Sequence, residues 1–153
     1  MGVKAKFSKA DIKNVGADLL KRIELAVVSR FQYIGETFVT NARLKTKKQG
    51  GFGNITGNLR SSIGYIILNN GKTVQDNYEV SGTGTKGVQE AKALIRELKS
   101  KFNTGYVLIV VAGMNYAAAV ESRGLDVITG SSKIAEEDLK DAIEGLAKKL
   151  AKR

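Results

Sequence analysis

The chain of 153 residues has no cysteine, no histidine, no tryptophan and no proline. Without cysteine there is no disulfide framework, no thiolate nucleophile and no cysteine-held metal. Without histidine the commonest general base and the commonest metal ligand are missing. Together these two absences come close to excluding zinc and most transition-metal sites. Without proline, every turn rests on Gly, Asn, Asp, Ser or Thr. Aromatic residues make up only 7% of the chain, and few interleave with the lysines, so a base-stacking platform is not expected. Long hydrophobic runs are also lacking. The longest, residues 107–113, is far short of a membrane span, and no apolar stretch follows the basic residues 1–11, so neither a membrane segment nor a signal peptide is expected.

What is present suits one domain over residues 1–153, large enough to bury a core without covalent staples. The net charge of +10 argues for an acidic or polyanionic partner, or for solubility. Basic residues gather at Lys4, Lys6, Lys9 and Lys13, and again at Arg43, Lys45, Lys47 and Lys48, where Arg60 joins them. A solvated basic face and a phosphate-binding surface both fit that pattern.

Ser8 and Asp11 form a capping-box signal. Apolar residues then recur at Ile12, Val15, Leu19, Ile23, Val27, Phe31, Ile34, Phe38 and Ala42, at steps of three or four. The spacing predicts a helix over about residues 9–46, roughly 55 Å long at ~1.5 Å per residue. Such a helix outruns a domain of this size, so part of it should project, bend or pack on a neighbour. Gly16 and Gly35 are its weak points.

A glycine loop at 49–58 and a second at 81–87 are expected to be mobile. Between them, residues 59–68 read as a strand with Ile63, Tyr65 and Ile67 on one face. Asn70 and Gly71 then form a two-residue hairpin turn, and a strand returns over about 72–80. Val88, Ala91, Ile95, Leu98 and Phe102 mark a middle helix. Residues 106–112, apolar throughout, predict a strand buried on both faces. A last helix is expected to start at Ser131 or Ser132 and turn Ile134, Leu139, Ile143, Leu146 and Leu150 to the core. Acids crowd its start, and Lys148, Lys149, Lys152 and Arg153 its end. The expected class is α+β: a long N-terminal helix, a small mostly antiparallel sheet with a hairpin, and middle and C-terminal helices packed on it.

The search for chemistry is short. No serine has a histidine to activate it, and the glycine stretch at 50–57 lacks the Lys-Ser/Thr of a phosphate loop. Residues 82–87 look like a phosphate cradle only superficially, because they follow an antiparallel strand. No catalytic residue, metal site or cofactor is expected. Glu121 stands apart from the acids on helix faces, with a local ion pair to Arg123 or a contact role as its two readings.

Two segments carry a resemblance. One is residues 56–63, Thr-Gly-Asn-Leu-Arg-Ser-Ser-Ile. The other is residues 116–124, Tyr-Ala-Ala-Ala-Val-Glu-Ser-Arg-Gly. In this order, between a long first helix and a closing helix, they resemble the paired motifs of the neck and tail-completion family of long-tailed bacteriophages, whose members include minor tail components. Two departures are a missing proline before the Thr-Gly and an extra residue between Glu121 and Gly124. The resemblance implies a non-enzymatic structural subunit of the virion, made in the bacterial host cytoplasm. It implies a homo-oligomeric ring, hexameric or dodecameric, joining the DNA-filled head to the tail. Its neighbours would be head-connector and tail-tube proteins, with packaged DNA within reach. Phe52, Thr56, Gly57, Leu59, Arg60, Tyr116, Val120, Glu121 and Gly124 are the expected protein-contact residues, with Arg60 paired to Glu121 within the chain or across the interface. A tail terminator capping the tail tube and a small basic nucleic-acid-binding protein are the alternatives.

Overall fold

Ser8 starts the first helix as its capping-box signal predicts. In the computed structural model, which describes residues 6–152, its Oγ accepts from the Asp11 N–H, and the Asp11 carboxylate accepts from the Ser8 N–H at 2.7 Å. Lys4 and Arg153 lie outside the described residues. Helix α1, Lys9–Leu44, is unbroken through both glycines. Gly35 is required by packing: the ring of Tyr65 lies so close that a Cβ there would come within 2.7 Å of it. Only the second half of α1 is buried, through Phe31, Ile34, Phe38, Val39 and Ala42. In the first half Ile12, Val15, Leu19 and Leu20 remain exposed.

A short 3-10 turn at Lys47–Gln49 and the single-turn helix α2, Asn58–Ser61, lead into the sheet. Strands β1 (Ile63–Asn69), β2 (Lys72–Asn77) and β3 (Tyr106–Ala112) are antiparallel in the order β2-β1-β3. Asn70 and Gly71 make the hairpin turn with φ of 49° and 75°, the left-handed pair that matches strand twist. Helix α3 (Thr85–Lys99), the short helix α4 (Ala117–Glu121) and α5 (Thr129–Ala151) complete the α+β fold.

The sheet sits between helices. Ile63, Tyr65 and Ile67 of β1 meet the buried residues of α1 together with Phe52, Leu59, Val127 and Ala135. On the opposite face Ile66 and Leu68 meet Ala91 and Ile95 of α3, with Ile109 and Val111 of β3. Each large apolar side chain so buried contributes roughly 1.5–3 kcal/mol. The Tyr65 hydroxyl donates to Glu36, which also accepts from Asn77, so this polar group enters the core with partners.

Four expectations are corrected. Leu59 is buried as expected, but on α2 rather than in a strand. The strand buried on both faces is β1; β3 is an edge strand, and most of its residues are only partly buried. Helix α5 starts at Thr129, not at a serine cap, and is turned so that Ser131 and Ala135 are buried while Ile134, Ile143 and Leu150 are about half exposed. The glycine loops are also anchored. Ser61 Oγ accepts from the Ser81 N–H at 2.7 Å, and Thr83 Oγ1 donates to the Thr56 carbonyl. Gly57 sits so close to Ser81 that a Cβ would fall 1.8 Å from its carbonyl oxygen.

Candidate interaction site

The two family-like segments, far apart in sequence, both contribute to the lining of one open cleft of about 460 Å³. The lining takes Phe52, Thr56, Gly57 and Leu59 from around the first segment, Tyr116, Val120 and Leu125 from around the second, and the polar Lys47 and Asn54. Phe52, Gly57 and Leu59 form the buried floor. Thr56 is exposed at the rim, as is Tyr116 at 39%. Ile55 also lines the cleft, and its side chain is fully exposed. A single β-branched apolar residue inside a glycine-rich loop was its sequence signal, and it was missed, as was Leu125 directly after Gly124.

Backbone contacts hold the lining together. The Asp126 N–H donates to the Gly50 carbonyl at 2.8 Å, and Gly51 and Asp126 pair as an isolated parallel bridge. The Asp126 carboxylate takes Lys45 as an ion-pair partner and accepts from the Gly130 N–H. Burial works to raise its pKa, but Lys45 and the Gly130 hydrogen bond outweigh it and hold the carboxyl below its ordinary value. Phe52, expected as an apolar anchor for a partner, is 2% exposed and anchors the loop to its own core.

Glu121 and Gly124 line a shallow depression beside the cleft, with Leu125, Asp126 and Thr129. Within the chain Glu121 pairs with neither Arg60 nor Arg123. Its Oε1 accepts from the backbone N–H groups of Val127, Ile128 and Thr129 and from the Thr129 hydroxyl. These donors form the unsatisfied start of α5, where a carboxylate is favoured by both hydrogen bonding and the helix dipole. Arg60 lies outside the cleft lining. Its guanidinium sits over the Phe52 ring at 5.8 Å from the centroid, and its buried Nε has no hydrogen-bond partner.

The basic cluster at 43–48 is dispersed. Arg43 donates to the Ile63 carbonyl at 2.7 Å and to the Glu79 carbonyl, and it forms an ion pair with Glu79. Burial lowers its pKa, against the pull of Glu79 and Glu36. With Lys45 held by Asp126, only Lys47 and Lys48 of that group remain exposed without an ion-pair partner among the described residues.

Among the described residues no group of acidic side chains could hold a metal, and no helix is long and apolar enough to cross a membrane. The cleft offers an apolar floor and a mixed rim, with Ile55 and Tyr116 beside Lys47, Asn54 and Thr56, which suits an apolar side chain of a protein partner flanked by polar groups. Comparison with protein-family models, curated proteins and solved structures finds no match to this chain.

Proposed function

We propose that the chain is a structural subunit of a bacteriophage neck or tail-completion ring, acting by contact with like copies and with neighbouring head-connector and tail proteins. The observation that carries this reading is the cleft: the two segments that resemble the family's paired motifs come together in its lining. A role in assembly gives both segments one purpose, an apolar socket for a neighbour with Ile55 and Tyr116 at its mouth.

The first half of α1 supports the same reading. Ile12, Val15 and Leu20 of α1 are more than half exposed. An exposed apolar stripe of this kind marks a contact surface. Packed side by side in a closed ring, such helices would bury their stripes against one another.

Electron microscopy of particles carrying a tagged copy of this chain tests the proposal. The expected result is the tag in a ring between head and tail. Purified, infectious particles that lack the chain would overturn it.

A further inference from the structure

The two edges of the sheet are built differently. The β2 edge is mostly polar and exposed, carries Lys72 and Asp76, and is interrupted by a bulge that leaves Val74 without a partner in β1. Charge and bulges are how sheets discourage an incoming strand. The β3 edge has neither. It runs Tyr-Val-Leu-Ile-Val-Val-Ala without a charge, and its register with β1 is unbroken from Tyr106 to Ala112.

The direction of its backbone groups follows from the ends of that ladder. The Asn70 N–H donates to the Gly105 carbonyl at 2.8 Å, and the Gly113 N–H donates to the Ser62 carbonyl at 2.9 Å. Antiparallel pairs alternate between bonded and unbonded. Val107, Ile109 and Val111 therefore bond to β1, while Tyr106, Leu108, Val110 and Ala112 turn their N–H and C=O groups outward. Among the described residues no strand lies beyond β3 and no backbone group takes those bonds.

We propose that this edge pairs antiparallel with β3 of a second copy, joining two three-stranded sheets into one. The added strand must be apolar on both faces, because Leu108 and Val110 border the α1 side of the core and Val107 and Val111 border the α3 side. β2 is polar and β1 is already interior, so β3 is the strand of this chain that qualifies. Its sequence is also self-complementary. About a twofold axis at Ile109, Leu108 lies opposite Val110 of the second copy, and Tyr106 lies opposite Ala112, large against small. Every outward group then finds a partner, in about eight hydrogen bonds. No charge is buried at the seam. Two chains of +10 still repel at a distance, so the dimer strengthens as salt is added. This inference stands apart from the neck reading; a nucleic-acid complex would respond to salt in the opposite sense.

The test uses the whole chain in solution, with light scattering for mass and hydrogen exchange for individual amides. The expected result is a dimer whose Leu108 and Val110 amides exchange at least about tenfold more slowly as concentration rises. Val110→Pro removes an outward N–H that its own sheet does not use, so it should give a folded monomer. Ile109→Cys puts one thiol into a chain without cysteine, at a position that faces itself at about 4.5 Å between Cα atoms, within disulfide reach. It should cross-link under mild oxidation, whereas Leu108→Cys should not. A wild-type chain that stays monomeric at high salt with fast Leu108 and Val110 amides overturns the proposal. So does a dimer in which those amides stay fast and Ile109→Cys does not link.

Discussion

The carboxylate of Glu121 accepts the backbone N–H of Ile128 at 2.9 Å, and this bond ties the end of α4 to the start of α5. Val127 and Thr129 donate to the same oxygen, so the turn between the two helices winds around one side chain. The cleft borders on it, because Val120 and Leu125 of the cleft lining flank Glu121 in the chain.

The pH dependence of this cap follows from its carboxyl. Burial works to raise the pKa, but the hydrogen bonds from Ile128, Thr129 and Val127 outweigh it and hold the group below its ordinary value of 4.5. A depressed carboxyl contributes stability that is fully present above the unfolded value and lost as pH falls through the folded one. Glu121→Gln should therefore cost about 1 kcal/mol at neutral pH, and the gap to wild type should close well below pH 4.5. Thermal melts of both proteins across that range check it. A gap that stays constant into strong acid would mean that the charge is not what holds the turn.

Gly57 and Gly124 make a matched pair. Both have positive φ, 78° and 80°, but a Cβ on Gly57 would collide with the Ser81 carbonyl, whereas Gly124 faces open space. Gly124→Ala should cost roughly 1–2 kcal/mol, the ordinary penalty of the left-handed region. Gly57→Ala adds overpacking against backbone and should cost about 3 kcal/mol or more. Denaturant unfolding of the two variants gives the comparison. Equal losses would mean that the 81–84 loop moves aside freely.

Local signals were legible wherever local chemistry decides. The capping box at Ser8, the stripe of α1 and the Asn70-Gly71 turn depend on residues close in sequence, and each lies where its pattern puts it. The rank of strands within the sheet does not depend on local chemistry. Residues 106–112 read as interior because every side chain is apolar, yet order across the sheet gives the interior to β1, where Ile66 and Leu68 fill the face that alternation at Ile63, Tyr65 and Ile67 left unassigned. The site was partly legible. Thr56, Gly57, Leu59, Tyr116 and Val120 of the two motifs meet in one cleft lining, but the pairing of Arg60 with Glu121, expected within the chain or across an interface, does not form within the chain. The carboxylate instead accepts from backbone N–H groups at the start of α5, donors that a sequence does not display.

Leu59 should be intolerant of charge. It is 7% exposed on the one-turn helix that leads into β1. Leu59→Asp buries a carboxylate without a partner and should cost several kcal/mol, enough to lower the melting temperature by about 10 °C or more. Leu59→Met keeps the volume and should cost less than about 1.5 kcal/mol. Wild-type melting of the Asp variant would remove Leu59 from the core.

The cleft itself is best tested at its mouth. Deleting residues 50–53 would remove buried Phe52 and the Gly50 carbonyl that accepts from Asp126, so such a variant would lose its fold along with any contact. Ile55 and Tyr116 avoid that difficulty. Ile55 is fully exposed, and Tyr116 is 39% exposed at the start of α4 with no side-chain capping bond to lose. Ile55→Ser should change stability by no more than about 0.5 kcal/mol, and Tyr116→Ser by little more. If the socket receives an apolar side chain of a neighbour, the double variant should fold like wild type yet leave heads and tails unjoined in a phage that depends on it, with infectious yield down at least about a hundredfold. Circular dichroism establishes the fold, and electron microscopy of the lysate counts free heads and tails. Normal yield from a folded double variant would sink the assignment of the cleft as the joining site, whatever the ring itself does.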